Sequence, residues 1–145
     1  MATRQQISDA YRIKSAESLA VAQACLNNGQ IRAACNRAWY AIMQSVTACI
    51  YKRTLEVPPP RSGTQRVNWP HERCCENFRR VIKTCAGRRA DSIKRSLLPF
   101  FGSILDYRNV SDYRVPPDHS EITIAQARTA VDVAGKIVAL VNNWL

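Results

Sequence analysis

The chain has 145 residues, enough for one domain whose core needs no disulfide or metal to hold it. Its 46% apolar content excludes disorder, no apolar run reaches the length of a bilayer span, and Met1 to Gln6 carry no signal-peptide stretch, so the expectation is a cytoplasmic protein with no membrane partner. The net charge of +10 is concentrated, with twelve Lys or Arg between Lys52 and Arg95 against four acids; this favours a polyanion such as nucleic acid, although a solvated arginine-rich surface with no partner also accounts for it.

The periodicity is helical throughout, and strand-type alternation is nowhere sustained. A first helix is predicted from near Ser8 to Leu26, ended by Asn27-Asn28-Gly29, with Ile13, Ala16, Ala20 and Ala24 as its buried edge. A second is predicted from about Gln30 to Arg53. Its buried side carries Ala34, Ala38, Ala41, Ser45 and Ala48, flanked by Trp39, Ile42, Val46 and Cys49, and these small residues admit close approach by another helix. A separate stripe of Arg37, Tyr40, Gln44, Thr47 and Tyr51 runs over four turns; half-buried packing is the alternative for its tyrosines.

Prolines 58 to 60, with Gly63, make residues 56–70 a basic loop. A third helix is predicted to start around Pro70-His71, burying Cys74, Phe78, Val81 and Cys85 while Arg73, Arg79, Arg80 and Lys83 stay outside, and to close at Ala86-Gly87. A fourth spans roughly Ala90 to Asp112, with a kink or break expected near Pro99 and Gly102. The last, about Thr123 to Trp144, has a Thr123–Gln126 capping box and an apolar face wide enough for several helices or a dimer. The fold class is therefore an all-α, up-and-down bundle of about five helices, one domain over 1–145.

Six cysteines sit within helical patterns beside apolar residues, with no CxxC pair and no second pair at zinc-ligand spacing. They read as core thiols, and neither a metal nor a cofactor is implied.

The end of the fourth helix holds the densest chemistry. Arg108 and Asp112 are four apart, as are Asn109 and Tyr113, so the four share one surface patch. An unremarkable solvated face with an Arg–Asp pair is the competing reading.

Several stretches taken in order are similar to the HEPN superfamily. Ala33-Ala34-Cys35-Asn36-Arg37-Ala38-Trp39-Tyr40-Ala41-Ile42-Met43-Gln44 resembles its signature helix, and Ala16-Glu17-Ser18-Leu19 fits its first helix. His71 with Phe78 resembles its next histidine and phenylalanine, and Arg108-Asn109-Val110-Ser111-Asp112-Tyr113 resembles its Arg-polar motif. The resemblance implies a helical homodimer with the Arg motifs of two protomers facing across a cleft. It also implies relatives that are metal-independent endoribonucleases in toxin–antitoxin, defence or RNA-processing systems, that pair with nucleotidyltransferases, or that bind nucleotides or RNA without cutting. The family's nuclease motif ends in histidine, where this chain has Tyr113; His119 follows eleven residues after Arg108, beyond two prolines.

That departure bears on chemistry. Metal-free RNA cleavage needs a base for the 2′-hydroxyl, an acid for the leaving oxygen and a cation on the phosphorane. Arg108 suits the last role, with Asn109 as a positioning donor. Histidine near neutrality suits the first two, whereas tyrosine, with an ordinary pKa of about 10, is a poor base. His71 substitutes only if the fold brings it to the cleft; local hydrogen bonding at a helix start is its other explanation. The expectation is RNA or nucleotide binding by Arg108, Asn109, Asp112 and Tyr113 with Arg37, Tyr40 and Gln44, and with Arg79 and Arg80 in the basic segment on phosphates. Whether the protein is an enzyme stays open. The alternatives are an active endoribonuclease using Arg108, Asn109, Tyr113 and His71, or a non-catalytic subunit bound to a cognate protein partner.

Overall fold

The computed structural model describes residues 1–53, 55, 73–113 and 121–145, excepting the side chains of 111–113. The described residues form five α-helices and no strand: α1 (Arg4–Asn27), α2 (Ile31–Lys52), α3 (Cys74–Cys85), α4 (Ala90–Tyr113) and α5 (Ile124–Asn142), with a 3-10 turn at Gly87–Arg89 before α4. The expected loop at 56–70 and the expected helix start at Pro70-His71 lie outside the described residues. No helix among them is long and apolar enough to cross a membrane.

Thr-x-x-Gln boxes start two helices. At α5, Thr123 Oγ1 accepts from the Gln126 amide at 3.2 Å while Gln126 Oε1 accepts from the Thr123 amide at 2.9 Å, as expected from sequence. Thr3 and Gln6 build the same box at α1. The tight return from α1 to α2 uses Gly29 at φ +73°, where a Cβ would be strained.

α2 is the axis of the fold and packs against the other four α-helices. Its small residues Ala34, Ala38, Ala41, Ser45 and Ala48 are all buried, as their spacing predicts. Against them α1 lies antiparallel, and here the sequence expectation fails. Ile13, Ala16, Ala20 and Ala24 are exposed, and the buried edge of α1 is Ser8, Ser15, Ser18 and Ala22.

The cause is the closeness of the two helices. The alanine face of α2 leaves no depth for isoleucine, whereas a serine fits and satisfies its hydroxyl on a backbone carbonyl. Ser8 Oγ donates to the Ala48 carbonyl and Ser15 Oγ to the Ala41 carbonyl, both at 2.8 Å. At the far end the Arg4 guanidinium donates to the carbonyls of Ile50 (2.9 Å), Tyr51 (3.2 Å) and Leu55 (2.9 Å), capping the carbonyl end of α2 with a cation.

On the other side of α2, the side chains of Trp39, Phe78 and Phe101 form the aromatic centre. Phe78 stacks on Phe101 at 4.9 Å between centroids, and Trp39 meets Phe101 edge-on at 6.2 Å. Cys74, Phe78 and Val81 are buried as expected, while Cys85 is half-buried. α4 runs unbroken through Pro99 instead of breaking there. Pro99 and Gly102 are exposed, so the backbone bond that proline removes falls on the solvent side, where it costs least. Trp144 is half-buried against the core, and Ile124 stands 42% exposed at the start of the otherwise buried α5 stripe.

All six cysteines are thiols. Burial raises the pKa of Cys74. Burial also pushes Cys49 up to about 12, helped by neighbouring Cys85 and opposed by Arg53.

Two tests follow from this packing. Ile13→Ala, on a side chain 56% exposed, is expected to cost less than about 0.5 kcal/mol, while Ile42→Ala, fully buried, costs roughly 2–5 kcal/mol in urea unfolding. Equal costs would restore the apolar register of α1. The second concerns pH. Both raised thiols keep in the fold a proton that the unfolded chain releases near the ordinary value of 9.0. Their contribution is complete below that value and is lost as pH rises above it, by up to about 1.4 kcal/mol per pH unit for each thiol. Cys74→Val should therefore flatten the alkaline decline in the urea midpoint.

Candidate functional site

Between its ends, α2 is uncovered along one narrow stripe: Ala33, Asn36, Arg37, Tyr40, Met43 and Gln44. The successive steps are three, one, three, three and one residues, which keeps them on one face of a helix. The polar stripe expected from sequence is shorter than predicted. Thr47 and Tyr51 are buried, because α1 covers that half of α2. Thr47 Oγ1 donates to the Met43 carbonyl at 2.7 Å, and Tyr51 stacks on Tyr11 at 6.1 Å. Tyr51 is thus a packing residue, whereas Arg37, Tyr40 and Gln44 stay on the open stripe.

Arg108 reaches this stripe from α4. It is 5% exposed, and its guanidinium centre lies 5.9 Å from the Tyr40 ring centroid. Its Nη2 donates a long hydrogen bond to Tyr40 Oη at 3.4 Å, and its Nη1 donates to Asn109 Oδ1 at 3.3 Å. Arg37, exposed, also places its guanidinium 5.9 Å from the centroid of the same ring. Two cations from different helices therefore share one tyrosine, an arrangement favourable to each through the ring quadrupole and costly between them through like charge. An anion beside the pair relieves that repulsion. A guanidinium buried to this degree is held in place by its partners, so its fork is oriented before any ligand arrives.

Gln44 serves the scaffold as well as the stripe. The hydrogen-bond network assigns its Nε2 to the inner side, where it donates to the carbonyls of Lys14 (3.0 Å) and Tyr40 (3.2 Å) and to Ser18 Oγ (2.7 Å). It braces α1 on α2 beside a cleft of about 350 Å³ lined by Lys14, Glu17, Ser18, Val21, Arg37 and Gln44. Lys14 and Arg37 give this cleft two cations against the single acid, and Lys14 was not singled out from sequence. A larger cleft of about 680 Å³, lined by residues of α1 and α5 such as Gln23, Arg128 and Asp132, contains none of the sequence-predicted site residues.

The remaining predicted residues divide by location. Asn109 is half-buried beside Arg108. Arg79 is exposed on α3, and Arg80 donates through Nη1 to Asn77 Oδ1 at 3.1 Å. Asn77 is 4% exposed, and its Nδ2 has no hydrogen-bond partner among the described residues. Only its position between Cys74 and Arg80 on the edge of α3 could have marked it. Asp112 and Tyr113 end α4, but their side chains lie outside the described residues, as do His71 and His119 entirely.

Tyr40 is the residue through which this geometry can be tested without deleting a charge. Tyr40→Phe keeps the ring and loses one long acceptor, for an expected cost of about 0.5–1 kcal/mol in urea unfolding. Tyr40→Leu also removes the ring under both guanidiniums and should cost roughly 1 kcal/mol more. Identical values for the two variants would mean that the cation contacts contribute nothing.

A search of curated proteins found no match. The model of the HEPN domain family matches residues 9–144, nearly the whole chain and all five helices. HEPN domains are known for ribonuclease- and nucleotide-related roles in toxin or defence systems, and they commonly dimerise and act on RNA. With its all-helical architecture and this match, the chain belongs to the HEPN domain family.

Proposed function

We propose that this HEPN protein binds RNA or a nucleotide where Arg108, Asn109, Tyr40 and Arg37 meet. Asp112 and Tyr113 are added to these ligand contacts from the sequence motif, and Arg79 and Arg80 contact further phosphates. The carrying observation is the sharing of Tyr40 by the near-buried Arg108 and the exposed Arg37. Such a pair offers one preoriented fork and one adaptable cation to a phosphate, with an aromatic edge for a neighbouring base. The protein acts in the cytoplasm as a homodimer whose two clefts face each other, in a toxin–antitoxin, defence or RNA-processing setting. No cofactor takes part.

Binding without cutting is the favoured mode because Tyr113 stands where the family's nuclease motif carries histidine. At neutral pH a phenol supplies a hydrogen bond or a proton but does not readily remove one from a ribose hydroxyl. Arg108 would hold the phosphate while Tyr113, in the histidine's place in the motif, does not start its displacement.

The deciding experiment incubates the wild-type protein with total RNA and tRNA in EDTA, beside Arg37→Ala and Arg108→Lys. Intact RNA and a gel shift that weakens with salt are expected, with Arg37→Ala weakening the shift about tenfold and lowering its salt slope by about 0.7. Cleavage by the wild type that Arg108→Lys abolishes would make this a metal-independent endoribonuclease, with His71 and Tyr113 the next residues to change. Intact RNA with no shift would sink the nucleic-acid reading in favour of a subunit that binds a cognate protein.

A further inference from the structure

Away from that surface, the C-terminal ends of α2 and α3 bring two thiols together. Cys49 Sγ and Cys85 Sγ are 3.7 Å apart in space and 36 residues apart in the chain. Cys49 is fully buried and Cys85 half-buried, so Cys85 is the more accessible of the two to a reagent in solvent. The Arg53 guanidinium group stands by the Cys49 sulfur and favours its thiolate. A disulfide needs about 2.05 Å between sulfurs, an approach of about 1.7 Å from the present contact. Cys85 can supply that movement by side-chain torsion, because it is the last residue of α3 and only partly enclosed.

We propose that Cys49 and Cys85 are an oxidative modification site, closing into an intramolecular disulfide between α2 and α3 when the chain meets a small-molecule disulfide such as glutathione disulfide. Cys85, as thiolate, attacks one sulfur of the reagent. The reagent's S–S bond breaks, and one glutathione leaves as a thiolate that takes up a proton. Cys49, losing its proton to water, then attacks Cys85 Sγ and displaces the second glutathione. The two protein thiols are oxidised by two electrons, and the reagent is reduced to two molecules of glutathione. Burial raises the pKa of Cys49, which makes the second displacement the slower one and Cys85 the point of entry.

The bond has a structural consequence that can be read independently of RNA. α3 carries Arg79, Arg80 and Lys83, and its C-terminus would become covalently attached to the central helix. The closed loop contains the whole basic, proline-rich stretch between the helices, so cross-linking restricts the unfolded chain and raises the thermal midpoint.

The test treats the full chain with glutathione disulfide at about pH 8, blocks remaining thiols with N-ethylmaleimide, and reads intact mass and a non-reducing peptide map. Loss of two of the six thiols without a retained glutathione is expected, with the Cys49 and Cys85 peptides joined and the thermal midpoint raised until dithiothreitol is added. Cys85→Ser should prevent the joining, and Cys25→Ser should leave it intact. A bond between any other pair, a lasting glutathione adduct on Cys85, or six unchanged thiols would each overturn the proposal. The wild-type peptide map decides the matter without the buried Cys49 having to be replaced.

Discussion

Enclosure of α2 is the constraint from which the rest of this structure follows. Thirteen of its 22 residues are buried, and the other four helices are arranged around it. A helix packed on so many sides must be slim, which is why alanine, serine and cysteine recur along it. Its slimness in turn dictates what can lie beside it. α1 meets it with serines whose hydroxyls find carbonyls, and the Trp39, Phe78 and Phe101 cluster lies on the opposite side, toward α3 and α4.

The same enclosure determines where a ligand can be met. What remains uncovered on α2 is one stripe, and α4 leans Arg108 over it. Burying a guanidinium removes it from water, an expense that the neighbouring ring, amide and hydroxyl groups help to offset. A charge kept there has its direction imposed by helices that cannot move without disturbing the core. Recognition then depends on rigid elements, with Arg37 as the exposed and adaptable member.

Much of this was legible in the sequence, and the exceptions share a cause. The register of α2 was readable because alanine periodicity and flanking large residues agree, and the start of α5 because Thr123 and Gln126 form a capping box whatever surrounds them. The face of α1 was misread because apolarity is a poor guide where two helices come close: the serines are inside and Ile13 is out. At Pro99 it is the break that did not occur, because the backbone bond that proline removes lies on the exposed side of α4. In the candidate site, residue types and spacing pointed to Arg108, Asn109, Arg37 and Tyr40. The pairing of Arg108 with Tyr40, 68 residues away, is a tertiary fact that no local pattern contains. Lys14 was missed because its interest comes from Arg37 across the cleft, and Asn77 because the burial of a polar residue on α3 is not visible in a local pattern.

The Arg4 cap has a consequence for how the chain assembles. α1 and α2 form a hairpin whose turn, at Gly29, closes over very few residues. The bonds from Arg4 to Ile50, Tyr51 and Leu55 instead span 46 to 51 residues. Loop-closure entropy orders these events, with contacts near the turn rewarded early and those at the open end last. Arg4 is therefore the clasp of the hairpin. Its closure registers that the chain has been made through residue 55, past the end of α2 at Lys52.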